Sequence, residues 1–185
     1  MTFLYLVPTG MNDPEQPTWG SWAGRYGLNP GWPGKQYYWA NQVDIWNGAT
    51  NRENTLARWA VALQNDFRAR LDWCVKNYAE ANHPPIVKLK GDWKRSAKPG
   101  ERIVLDASNS ADPDGNALSF KWEYYREAGT YDGSLTIENE NGPTASLIMP
   151  EVKPNDTIHL IVTVTDSGNP PLSRYRRVLL SAENR

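Results

Sequence analysis

The chain has 185 residues, 20 Lys and Arg against 21 Asp and Glu, and a formal net charge of −1. Scattered basic residues exclude a nucleic-acid stripe, and the single cysteine, Cys74, excludes an internal disulfide framework. No apolar run approaches the length of a membrane span, and none has the basic start and cleavage site of a signal peptide.

In chain order, Phe3-Leu4-Tyr5-Leu6-Val7 is an unbroken apolar run, the pattern of a strand buried on both faces. No strand–helix partner follows, so the chain is expected to begin inside a larger domain, with Met1 an internal cut. Residues 8–50 show no regular period and are dense in Pro, Gly, Asn and aromatics. Seven of the nine Trp precede residue 80. A loop this long in a compact domain points to function, and its rings argue against disorder.

Residues 51–81 predict one long helix. Leu56, Trp59, Ala60, Leu63, Phe67, Leu71, Cys74, Val75 and Tyr78 recur at three and four, which predicts a buried stripe. Thr50 with Glu53 fits a capping box. Asn82-His83-Pro84-Pro85 stops the helix and marks a domain boundary, because each Pro forces its predecessor out of the α region. The expected units are 1–83 and 84–185.

From Ile86 onward the pattern is β. Strands are expected near 86–90, 102–108, 117–126, 134–138, 144–149, 157–165 and 174–182. Turns such as Asp112-Pro113-Asp114-Gly115 and Asn141-Gly142-Pro143 lie between them. Leu118, Phe120 and Trp122 alternate with Ser119, Lys121 and Glu123, the period of a half-buried strand. The fold class is therefore mainly β with an α-helical lead-in: an immunoglobulin-like antiparallel β-sandwich preceded by a Trp-rich loop region and one long helix.

Two resemblances follow from these motifs. Leu105-Asp106-Ala107-Ser108, Asp112-Pro113-Asp114-Gly115, the strand holding Trp122, and Ile158–Asp166 with its Val-Thr-Asp ending together resemble immunoglobulin-like modules of the polycystic-kidney-disease (PKD) type. Such modules are common appendages of bacterial carbohydrate-degrading proteins, and the resemblance implies that Trp122 packs in the core. The first half carries Asn12-Asp13-Pro14-Glu15, Trp19-Gly20-Ser21-Trp22-Ala23-Gly24-Arg25-Tyr26, Arg58-Trp59, Gln64-Asn65-Asp66-Phe67 and Asp72-Trp73. With Phe3–Pro8 these resemble the nucleoside-hydrolase-related, cellulose-binding-associated protein family of polysaccharide-degrading bacteria. That resemblance implies the end of a nucleoside-hydrolase-like domain followed by the sandwich, an upstream hydrolase-like domain as partner, and an exported, periplasmic or extracellular protein. The family's metal-binding Asp-x-Asp cluster is absent from the sequence. Asp13 is the sole match to its late metal-binding Asp, and one carboxylate cannot hold Ca²⁺, which takes six to eight oxygens.

The chain alone is accordingly expected to be non-catalytic. Its expected role is glycan binding, to a polysaccharide such as cellulose, or domain support. The alternative is the C-terminal portion of an N-glycosidase completed upstream. Trp19, Trp22, Trp32 and Tyr37 are the candidate sugar-stacking rings, weighed against burial between helix and sandwich. Asp106, Asp112, Asp114 and Asp166 are candidates for Ca²⁺, weighed against Asx-type turn bonds, and no cofactor is expected. His83 and His159 read as linker and rim residues, Cys74 as a buried one. Glu123, Glu127 and Asp132 fall on a strand and the turn after it, with no pocket implied.

Overall fold

The computed structural model describes residues 8–183. The strand read at 3–7 lies outside the described residues.

The lead-in is built from two small hairpins. Tyr26–Leu28 (β1) pairs antiparallel with Trp39–Asn41 (β2), and Asp44–Trp46 (β3) with Ala49–Asn51 (β4). Asn47 and Gly48 both take positive φ between β3 and β4, the two-residue turn that Asn-Gly favours. A helical turn follows at Asn54–Ala57 (α1), then the one long helix, Ala60–Val75 (α2), and a 3₁₀ turn at Tyr78–Glu80.

The single helix expected over 51–81 is thus shorter and broken. Thr50 lies in β4, and Asn51 Oδ1 rather than a Thr50–Glu53 box accepts the amide of Asn54 at 2.9 Å. A capping box does occur later, between Asn77 and Glu80.

The second half is a two-layer sandwich. One sheet runs Lys94–Ala97 (β5), Ser173–Ala182 (β10), Thr157–Asp166 (β9), Leu118–Tyr124 (β7). The other pairs Arg102–Asp106 (β6) with Thr144–Ile148 (β8). All pairings are antiparallel except β5 with β10. The strand expected at 86–90 is reduced to one bridge, Ile86 to Ala111, and that at 134–138 to Glu138 with Ser146.

Trp122 is fully buried between the layers with Ile103, Leu105, Leu147, Leu160 and Val162. Its indole donates to Gly142 O at 3.1 Å, so the ring's one polar group is satisfied. β9 is buried on both faces: Ile158, Leu160, Val162 and Val164 join this core, and Ile161 joins a second one. That second core is Met11, Trp22, Trp59, Tyr125, Ala128, Ile161 and Tyr175. The lead-in therefore packs on the outer face of the larger sheet.

Candidate functional site

What fixes the lead-in on the sheet is a buried ionic knot. Asp44, 0% exposed, accepts hydrogen bonds from Arg25 Nε (2.8 Å), Arg58 Nη1 (3.3 Å) and the Tyr125 hydroxyl (2.6 Å). Arg58 also donates to Glu123 at 2.9 Å, lies 3.9 Å from Glu127, and stacks over the Tyr125 ring at 4.0 Å. Glu127 in turn accepts the Ile45 amide at 2.9 Å. Burial pulls the Arg58 guanidinium down, but Tyr125, Glu123, Asp44 and Glu127 together outweigh it and raise its pKa. Burial, then the Asp44 charge, pushes the Tyr125 hydroxyl up, so it stays a donor. Glu123 and Glu127 are thus engaged with cations and amides.

Arg177 is a second staple. Its guanidinium donates to the carbonyls of Trp19 (2.9 Å) and Gly20 (3.2 Å) and approaches His159 Nδ1 at 2.9 Å. Gly20 has φ +79, and a Cβ there would collide with the Tyr125 ring, so only glycine permits this close approach. His159 is buried, not at the rim. Burial, then the Arg177 charge, holds its imidazole down to about 3, so it is neutral and accepts from Arg177.

The four candidate sugar-stacking rings separate into different environments. Trp22 is 1% exposed, its indole donating to the Tyr175 hydroxyl at 3.2 Å, so it has no face to offer a ligand. Trp19 is half-buried, edge-on to His159 and to Trp93. Trp32 is exposed and stacks on Tyr38 at 5.4 Å with an interplanar angle of 17°. Tyr37 is 86% exposed. Beside them Tyr38 and Trp39 are also exposed, and Trp39 anchors its indole on Gln36 O at 2.9 Å. Leu28, Gln36, Tyr37, Trp39 and Gln42 line one shallow groove. The sequence singled out neither Tyr38 nor Trp39 as candidates. Their place on and beside β2, opposite β1, was a signal that the irregular composition hid.

α2 presents an unexpected face. Trp59, Ala62, Leu63, Asp66 and Ala69 turn inward or partly so, whereas Phe67 (62%), Leu71, Cys74, Val75 (82%) and Tyr78 are exposed. The predicted stripe is therefore rotated. Asp66 can face inward because Arg174 Nη2 (2.8 Å) and Arg70 Nε (2.6 Å) satisfy its carboxylate.

Of the acidic candidates, Asp13 lies in the lead-in and caps the Glu15 amide at 3.0 Å. Asp106 is held by Ser108 and Lys90, which lower its carboxyl to about 2. The others gather at the end of the sandwich. Asp112 Oδ1 accepts the amides of Asp114 and Asn116, both at 3.0 Å, as a turn residue does. Asp114 holds the His83 amide (2.6 Å) and Nδ1 (3.0 Å), while the His83 ring stacks on Tyr78 at 3.8 Å. Asp166 Oδ1 takes the Gly168 and Leu172 amides and Asn82 Nδ2 (2.9, 3.0 and 3.1 Å). Asn82 Oδ1 accepts from Asn116 at 3.0 Å. Turn bonds leave two oxygens over: Asp112 Oδ2 and Asp166 Oδ2 are buried without a partner. Among the described residues no group of three or more His, Cys, Asp or Glu is arranged for a metal, so a cation here would also draw on amide oxygens.

Comparison with known proteins agrees with this architecture. Residues 102–182 match the family model described as the cellulose-binding protein Sde0182, C-terminal domain. A nucleoside hydrolase-related hypothetical protein from Saccharophagus degradans, associated with carbohydrate metabolism, overlays 98% of this chain with a TM-score of 0.79 at 33% identity. This chain spans 46% of that protein, about half its length. A microbial collagenase from Vibrio alginolyticus is 27% identical over 126 residues, 58% of this chain and 15% of the collagenase. The PKD domain of KIAA 1837 protein overlays 54% of the chain at a TM-score of 0.39 and 24% identity, too loosely to carry weight.

Proposed function

We propose that this chain, whose residues 102–182 match the family model of the cellulose-binding protein Sde0182, C-terminal domain, is a non-catalytic accessory region that holds polysaccharide and supports a neighbouring domain. The carrying observation is the chemical contrast between its two exposed apolar faces. The hairpin sets Tyr37 and Trp39 beside the amides of Gln36 and Gln42, and carries the exposed Trp32–Tyr38 stack as well. Flat rings stack on the apolar faces of pyranoses while amides bond their hydroxyls, so this face suits a glucan such as cellulose. The α2 face offers Phe67, Leu71 and Val75, aliphatic or phenyl groups, and suits protein packing. Its occupant is an upstream nucleoside-hydrolase-like domain, in keeping with the greater length of the Saccharophagus protein. The units 1–83 and 84–185 then act as domain end and sandwich. Such a protein works outside the cell, where insoluble polysaccharide is met. Among the described residues no helix is long and apolar enough to cross a membrane.

Retention on insoluble cellulose tests the reading. The parent chain is expected to bind weakly, in the micromolar-to-millimolar range, as a few stacking contacts of about 1 kcal/mol each allow. The triple variant Trp32→Ala, Tyr37→Ala, Trp39→Ala is expected to elute with the buffer. A parent chain that does not bind, or a triple variant that binds equally, sinks it.

The two partnerless carboxylate oxygens favour a second reading for the sandwich end. Asp112 and Asp166 each bring a buried oxygen without a partner, and Asn82, bonded to Asp166 and Asn116, brings an amide oxygen, donors of the kind Ca²⁺ takes. A cation bound to the folded chain raises its melting temperature by mass action. Added Ca²⁺ is expected to raise Tm, and a chelator to reverse the gain. No shift returns all these acids to turn formation.

A further inference from the structure

A second ring-lined feature differs in shape from the hairpin face. Between the start of the lead-in and the sandwich lies a cleft of about 490 Å³, within the range of small-ligand sites. Trp19 and Trp93 stand on it with ring centroids 6.2 Å apart and planes at 69°. Asp13, Asp92 and Arg176 join them on its lining.

We propose that this cleft is a binding site for the end of a short, neutral oligosaccharide, distinct from the hairpin face, with Trp93 as its stacking ring and Asp92, Asp13 and Arg176 as its hydroxyl partners. The proposal rests on the carbohydrate reading above.

The chemistry fits hydroxyl-rich ligands. A carboxylate accepts from neighbouring hydroxyls, and a guanidinium donates to their oxygens. Asp13 spends one oxygen on the Glu15 amide, and Arg176 spends Nη1 on Tyr175 O at 2.9 Å. Each retains other polar atoms for a ligand. Carboxylates and guanidinium together match neither an anion nor a cation, which favours an uncharged ligand.

The shape separates the two faces. Two rings at 69° cannot both lie flat against one extended chain, whereas the corner they form can receive a single terminal sugar. Stacked rings, as in the 17° pair on the hairpin, can follow a polymer surface.

The site is also held rigid from behind. Arg177 clamps the Trp19 carbonyl at 2.9 Å and places its charge 5.5 Å from that ring. Leu179 N donates to Trp93 O at 2.7 Å, tying the other ring's backbone to β10. The rings are therefore set before a ligand arrives, which lowers the ordering cost of binding.

The test is titration of the whole chain with cellobiose, xylobiose and laminaribiose, read by tryptophan fluorescence and calorimetry. At least one disaccharide is expected to saturate. Trp93→Ala should weaken it tenfold or more, and Asp92→Asn several-fold. Val104→Thr, at an exposed position of β6 outside both ring-bearing faces, should leave it unchanged. Asp92→Asn guards against a Trp93 variant that fails to fold. If no disaccharide saturates, or if Trp93→Ala and Asp92→Asn bind as the parent does, the cleft is not a sugar site. Retention on insoluble cellulose alongside that failure leaves the hairpin face standing, so the two readings fail separately.

Discussion

The two halves of the molecule are stabilised differently. The sandwich closes on itself: apolar side chains of β6, β8, β7, β9 and β10 meet around Trp122. The lead-in has short hairpins and one long helix, and its buried rings rest on Ile161, Tyr175 and Tyr125 of the other half. Its charges are buried too, in the Asp44–Arg58 knot. Alternating apolar residues suffice to build a sandwich. A stretch without a period must borrow a surface and neutralise what it buries there.

The largest break in that contrast is Trp122→Ala. Loss of the central ring should cost about 3–5 kcal/mol and unfold both halves together, because the buried rings of the lead-in rest on the larger sheet. A melt in which the lead-in survives would contradict the dependence. Asp44→Ala should also cost about 3–5 kcal/mol, since it leaves Arg58, Arg25 and the Tyr125 hydroxyl buried without their acceptor. Its signature differs: hydrogen exchange should rise in β3, β4 and α1 and stay slow in β9. Uniform exchange would show one cooperative unit. Trp22→Ala should destabilise about as much as Trp59→Ala, by roughly 3 kcal/mol, because both rings sit in the same buried cluster. A neutral Trp22→Ala would restore that ring as a ligand contact.

A smaller effect comes from pH. Neutral in the fold to about pH 3, His159 takes a proton in the unfolded chain below its ordinary value near 6.5. The unfolded state then binds more protons, so stability is complete above that value and falls as pH drops towards 3. The slope approaches about 1.4 kcal/mol per pH unit. His159→Gln should flatten the part between pH 5 and 6.5, above most carboxyl titrations. An unchanged slope there would put the titration elsewhere. Smallest of all is Phe67→Ser with Val75→Ser on the exposed α2 face, expected within about 0.5 kcal/mol of the parent. A larger loss would mean that this face is already covered.

Much of this contrast was legible in the sequence. Alternation in 118–124 and the Asp112–Gly115 turn located the sandwich, because period 2 and turn chemistry are local properties. The helix was found but its inward face was not. Phe67 and Leu71 carry the hydrophobic signal, yet Asp66 goes inside because Arg174, far along the chain, meets it there. His159 was misjudged for the same reason, its partner Arg177 lying across a strand pair. Cys74 followed the misplaced stripe outward. For the rings, Trp22 and Tyr37 looked alike in Gly- and Pro-rich surroundings. Tyr175, one of Trp22's partners, comes 153 residues later.

The most direct test is a side-chain footprint of the chain in suspended cellulose against the chain in buffer. The predicted result is protection of Trp32, Tyr37, Tyr38 and Trp39, with Phe67, Leu71 and Tyr78 as reactive as before. Protection of the α2 side chains in place of the hairpin, or of neither, would contradict the assignment of the ring-bearing face to polysaccharide.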